Sequence, residues 1–132
     1  MAAALRAYVV GLLCAEAAVE LLIAHAVWLH RTGFVDRFVR VAADPAVVGQ
    51  TVVAWVDWHA AADAAQTGQV PCSASEGRIL LIAASIAKGV PLDLGEAVSG
   101  LDAVGSVLVA RAVLAAGGHH GVVEDLVGVA CR

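Results

Sequence analysis

The chain has 132 residues, which is enough for one domain and short for two. Apolar residues make up 61% of it and charged residues only 15%, whereas a typical globular domain has about 45–50% and about 25%. The net charge of −4 argues against a general electrostatic attraction to nucleic acid. Because so little charge is available to cover the exterior, we expect part of the apolar surface to be buried against a second copy or a protein partner.

One stretch in the N-terminal part, residues 7–29, is long enough to cross a bilayer. It carries Glu16 and Glu20 near its middle, and a carboxylate at the centre of a span costs about 2.5–3.5 kcal/mol on insertion scales. We therefore predict no membrane span, and we also expect no signal peptide at the start of the chain.

The chain has three cysteines, and their spacing gives neither a CxxC pair nor an even disulfide framework. They are Cys14, Cys72 and Cys131. This usage predicts a reducing cytoplasm as the compartment. We expect Cys14 to be a small core residue, as most free cysteines are.

In the N-terminal half, apolar residues recur every three or four positions and predict one long helix over residues 5–31, ended by Thr32 and Gly33. Asp44 followed by Pro45 predicts the start of another helix over residues 45–66. Asp can cap the free amides there, and proline at the first helical position loses no hydrogen bond.

In the C-terminal half, local signals mark three successive helices. The Ser73-x-x-Glu76 spacing is a capping box and predicts a helix over residues 76–88, which Gly89 ends. Asp93 starts a short helix, and Asp102 caps the next one, over residues 103–116. Residues 122–130 are predicted to form a last short helix.

These elements predict an all-α protein with a single compact bundle of five to six helices in one domain, residues 1–132. Residues 1–68 would supply the N-terminal helices, residues 69–72 a linker, and residues 73–132 a tri-helical half. The four long helices described above would form the core.

Residues 78–118 resemble the helix-turn-helix half of winged-helix transcription regulators. The resemblance rests on the apolar helix from Arg78, the start at Pro91, the turn at Ser99-Gly100-Leu101-Asp102 and the helix that ends before Gly117. In that family the helix after the turn enters the major groove, and its early residues touch base edges. Carried over to this chain, the resemblance implies DNA contacts over residues 93–116. The contacting residues would be Ser99, Asp102, Ser106 and Arg111.

This chain departs from the family pattern at two positions. The family prefers a small residue four positions before Gly100 and an apolar one six positions after it, and here Glu96 and Ser106 stand there. The second helix also has no basic residue in its first two turns, although phosphate contacts normally supply much of the affinity. DNA binding is therefore the disfavoured alternative.

The whole chain also resembles small helical proteins of actinobacteria, chiefly over residues 21–39 and 71–87. The excess of Ala, Val and Gly is typical of a GC-rich bacterial genome. This resemblance implies no activity.

Two further groups of side chains are candidates for binding. Arg31, Arg37 and Arg40 form a basic cluster after the first helix, which is either a solvated surface or a contact for an anion or an acidic partner. Glu16 and Glu20 lie one helical turn apart and could share a site, but the Glu-x-x-His motif of di-iron bundles is absent.

The chain shows no phosphate-binding glycine loop, and we expect no enzyme activity, no metal and no cofactor. The function that the composition favours is a non-catalytic, self-associating regulatory or protein-interaction module. Its partner would be a second copy, giving a homodimer, or another protein. A DNA-binding regulator is one alternative. An enzyme dependent on a metal at His119 and His120, or on Cys72 as nucleophile, is the weaker one.

Overall fold

A computed structural model describes residues 1–43 and 51–122. Within these residues the chain forms seven α-helices, one short 3₁₀ helix and two strands. The helices are α1 (Ala2–Val9), α2 (Leu13–His25), α3 (Thr32–Phe38), α4 (Trp58–Gln66), α5 (Ala74–Lys88), α6 (Leu94–Ser99) and α7 (Ala103–Ala116), with the 3₁₀ helix at Trp28–His30. The predicted predominance of helix is confirmed.

The strands β1 (Val39–Ala43) and β2 (Val52–Val56) form a small antiparallel sheet, so a purely α-helical fold is wrong. In this sheet Val39 lies opposite Val56, and Ala43 lies opposite Val52. The run from 52 to 56 is made of β-branched, aromatic and small residues, which pack well on a pleated surface.

The predicted helix over residues 45–66 is therefore wrong at 52–56. Its C-terminal part is helical as α4, which begins after Asp57, whose carboxylate accepts a hydrogen bond from the Ala60 N–H at 3.2 Å. The predicted start at Asp44 and Pro45 lies outside the described residues, as does most of the predicted helix over 122–130.

The predicted single helix over residues 5–31 is also wrong, because the chain turns twice within it. Gly11 has φ +86°, a left-handed conformation that glycine adopts at little cost, and it separates α1 from α2. Ala26 adopts φ 58° and ends α2, with its N–H donating to the Leu22 carbonyl. Apolar residues recur at helical spacing in both α1 and α2 because the two helices pack against the same core. Thr32 does not end a helix but begins α3.

The C-terminal half follows its local signals closely. Both bonds of the capping box are present: the Ser73 hydroxyl accepts from the Glu76 N–H at 3.2 Å, and the Glu76 carboxylate accepts from the Ser73 N–H at 2.9 Å. Gly89 ends α5 with φ +67°. Helix α7 has the bounds that the sequence predicts.

The core is centred on α2, which packs against both α5 and α7, while α1 packs on β2 and α4 packs on α5. The largest fully buried side chains are Trp28, Leu5, Leu22, Ile79 and Leu80. Helices α2 and α7 are antiparallel, because Gly118, just after α7, lies beside Leu13 at the start of α2. This arrangement places one side of α2 next to α7 and leaves the opposite side of α7 facing outward.

Candidate functional site

The four residues of the DNA-binding interpretation lie on α6 and α7 but do different things. The Ser99 hydroxyl donates to the carbonyl three residues earlier at 2.9 Å. The Asp102 carboxylate caps α7 by accepting from the N–H three residues later at 2.6 Å. Both side chains therefore satisfy local backbone groups. Ser106 and Arg111 are exposed on α7.

The turn between α6 and α7 is covered by a side chain from α5. Gly100 has φ −101°, which any residue can adopt. However, the guanidinium of Arg78, from α5, lies where a side chain at residue 100 would be. A larger residue at this turn would require the flexible Arg78 side chain to move.

The outward side of α7 is apolar. We define the α7 outer face as Val104, Val107, Ala110 and Val113, all of which are exposed. These residues recur every three positions, so each is a surface neighbour of the next and the row winds about half a turn around α7, with the exposed Ser106 and Arg111 on the same side of the helix. The three valines are 69%, 54% and 57% exposed in chain order. A helix that reads base edges presents hydrogen-bonding side chains, whereas this face offers methyl groups.

The neighbouring helix α6 adds exposed apolar side chains. Leu94 is 60% exposed and Val98 is 41% exposed, and they lie one helical turn apart. The only charged residue within α7 is Arg111. Helices α6 and α7 thus carry few charged residues and expose several apolar side chains.

Within the predicted basic cluster, Arg31 binds other residues of the same chain. Its guanidinium pairs with the Glu76 carboxylate at 2.6 Å and donates to the Pro71 carbonyl at 2.9 Å. It also lies over the Trp28 ring, 4.8 Å from the ring centre. Arg31 therefore holds the start of α5 against the segment just before α3.

Arg37 stacks over Phe38 and reaches Gln69, and with Arg31 it borders a groove of about 440 Å³ next to Pro71. Arg40 lies on β1 and does not line this groove. The structure therefore brings together two of the three predicted basic residues.

A second cleft lies between α2 and α7, with a volume of about 290 Å³. Its floor and walls are small or aliphatic. These residues are Ala17, Leu21 and Ala24 on α2 and Leu108, Ala112 and Ala115 on α7. Its border carries Glu16 and Glu20 on one side, Arg111 on the other, and His120. The sequence draws attention to the two glutamates, but Arg111 joins them only through the antiparallel packing of α2 and α7.

The charged groups at this cleft are unequally engaged. Both oxygens of Glu20 are bound by Arg6, at 2.6 and 3.0 Å, and this hydrogen bond and charge raise the pKa of Arg6. One oxygen of Glu16 accepts from the Gly11 N–H at 3.1 Å. Among the described residues, Arg111 has no acidic partner within 4.0 Å.

His25, at the end of α2, is the one buried polar side-chain atom without a hydrogen-bond partner in the part of the chain described: its Nδ1 meets neither donor nor acceptor. Burial lowers the pKa of His25, and the Arg31 charge lowers it further, while Glu76 and Asp102 oppose the shift. The pKa of Glu76 is lowered mainly by the hydrogen bond from the Ser73 backbone, with Arg31 and His25 contributing.

The residues of the enzyme alternative are exposed. Cys72 is exposed just before the cap of α5, and His119 is exposed after α7. Cys14 is exposed as well, so its expected place in the core is wrong, because it lies on the outer side of the first turn of α2. Over residues 1–43 and 51–122, no three His, Cys, Asp or Glu side chains come close enough to hold a metal ion.

Comparison with known proteins gives no relative: no protein-family model matches the chain, and neither a curated protein nor a solved structure is significantly similar to it. None of the described helices combines the length and the apolar character that a membrane span requires.

Proposed function

We propose that the protein is a non-catalytic interaction module that self-associates through the α7 outer face. The observation that carries this proposal is the exposure of three valines and an alanine in one continuous row on a helix whose single charge is Arg111. Water-exposed apolar rows of this kind are typical of surfaces that bind protein.

The α7 outer face is too small to form a stable interface by itself, so we infer that the contact includes further apolar residues. Full burial of a valine side chain contributes about 1.5–3 kcal/mol, and these valines are already partly buried. A stable interface buries about 800 Å² on each partner, more than one row of small side chains supplies. Leu94 and Val98 on α6 are the exposed large apolar side chains that come next before Val104 along the chain, and a two-fold homodimer is the simplest assembly that uses both helices twice.

Sedimentation velocity over a range of micromolar concentrations tests the proposal. We expect the wild type to associate and Val107→Glu to remain a monomer, because a charge would have to be buried in the contact. The matched control is Val10→Glu, since Val10 is 74% exposed between α1 and α2. A monomeric wild type would overturn the proposal, and loss of association only in Val10→Glu would place the contact elsewhere.

DNA binding by the helix-turn-helix-like segment is the alternative proposal, and the exposure of Ser106 and Arg111 on α7 is what favours it. A gel-shift experiment with random duplexes at low salt tests it. Retardation that Arg111→Gln abolishes would support this alternative, and no retardation would exclude it.

We also propose a bacterial cytoplasmic location. Cys14 and Cys72 are exposed free thiols, which persist most readily in a reducing compartment.

A further inference from the structure

We propose that the cleft between α2 and α7 binds a small aliphatic amino carboxylate, with its ammonium group at Glu16 and its carboxylate at Arg111. This site adjoins the α7 outer face, because Arg111 lies one helical turn after Val107, but the proposal does not depend on self-association.

The antiparallel packing of α2 and α7 creates a cleft with opposite charges on its two sides. Glu16 and Glu20 lie one turn apart on α2, and Arg111 borders the same space from α7. None of the nitrogens of Arg111 is within 4.0 Å of either carboxylate. Arg111 and the two glutamates therefore lie on opposite sides of the cleft and do not form an ion pair.

The local charge balance selects a ligand that carries both signs. Arg6 neutralises Glu20 by binding both of its oxygens, so Glu20 has little left to offer a ligand cation. Glu16 uses one oxygen for the Gly11 N–H and has the other available. What remains, beside His120, is one carboxylate on α2 and one guanidinium on α7, which match a zwitterion better than a simple anion or a simple amine.

The size and lining of the cleft restrict the ligand further. Its volume of about 290 Å³ is at the lower limit of small-molecule pockets. Alanines on both helices leave the space, and Leu21 and Leu108 give it aliphatic walls. A branched aliphatic side chain of the size of leucine would replace water against these walls, while a sugar or a nucleotide would leave its polar groups unpaired.

A titration followed by amide chemical shifts tests the proposal, with three probes that share the same branched alkyl chain. These are L-leucine, 4-methylpentanoate, which lacks the ammonium group, and 3-methylbutylamine, which lacks the carboxylate. We expect leucine to give saturable shifts at Ala17, Leu21 and Ala112, and each singly charged analogue to bind about tenfold more weakly or worse.

Two variants assign the charged contacts. Arg111→Gln should weaken leucine binding about tenfold or more and leave the binding of 3-methylbutylamine unchanged. Glu16→Gln should weaken leucine binding and leave the binding of 4-methylpentanoate unchanged. Arg40→Gln, at an exposed arginine on β1, is the matched control and should change nothing.

Three results would overturn the proposal. They are the absence of saturable shifts at the cleft with leucine, equal binding of the amine and of leucine, and binding that Arg111→Gln does not weaken. Repeating the titration on Val113→Glu separates the two proposals, because Val113 belongs to the α7 outer face but does not face Arg111 around the helix, so the cleft should bind leucine equally well whether or not the protein associates.

Discussion

At the scale of single residues, His25 makes stability depend on pH. Its Nδ1 is buried without a partner, and burial lowers its pKa below the ordinary value of 6.5. The unfolded chain therefore binds a proton at a higher pH than the folded chain does. Stability from this residue is complete above about pH 6.5 and is lost as the pH falls from there through the folded pKa.

We predict that the free energy of unfolding of the wild type falls between about pH 7.5 and about pH 5.5, and that His25→Leu shows a smaller fall. The groups that face His25 are Glu76, Asp102 and Arg31. Urea unfolding at several pH values measures the effect. His59→Leu, at an exposed histidine of α4, is the control and should keep the wild-type slope. Equal slopes in wild type and His25→Leu would contradict the prediction.

At the scale of elements, α5 depends on its cap. We predict that Ser73→Ala lowers the free energy of unfolding by about 1 kcal/mol, because the Glu76 N–H loses its acceptor. Ser75→Ala, in the same first turn, should stay within about 0.5 kcal/mol of the wild type. Denaturant unfolding distinguishes them, and equal effects would show that the capping bond contributes little.

Two glycines with open space around them separate backbone conformation from packing. Gly89 ends α5 at φ +67°, whereas Gly33 lies inside α3, and neither has an atom close to where a Cβ would be. We predict that Gly89→Ala destabilises the protein by about 1–2 kcal/mol and that Gly33→Ala stabilises it by about 0.5–1 kcal/mol. Thermal unfolding measures both, and the same sign for the two variants would contradict the explanation.

The elements also show how far sequence alone reaches. The C-terminal helices follow from local chemistry, since Ser73, Gly89 and Asp102 act on backbone groups within a few residues. The sheet does not, because a short apolar run such as 52–56 fits a buried helix or a strand, and only pairing with 39–43 decides. Likewise, Glu16 and Glu20 are visible in the sequence, but their position opposite Arg111 depends on tertiary packing.

At the scale of the whole molecule, self-association should couple to stability. If the native protein pairs and the unfolded chain does not, the midpoint of thermal unfolding rises with protein concentration. We predict this rise for the wild type and not for Val107→Glu. Differential scanning calorimetry at two protein concentrations about a hundredfold apart measures the unfolding midpoints of both proteins. A wild-type midpoint independent of concentration would argue against pairing.

The segment between the two halves has a consequence for dissecting the protein. Arg31 donates to the Pro71 carbonyl, and Arg37 reaches both the carbonyl and the side chain of Gln69, so the segment 69–72 is held at two of its four residues. Trp28 meanwhile donates to the Glu76 carbonyl at 3.0 Å. A gene divided just before Gln69 would place the donors of all these bonds on one fragment and the acceptors on the other, so we expect neither fragment alone to keep them.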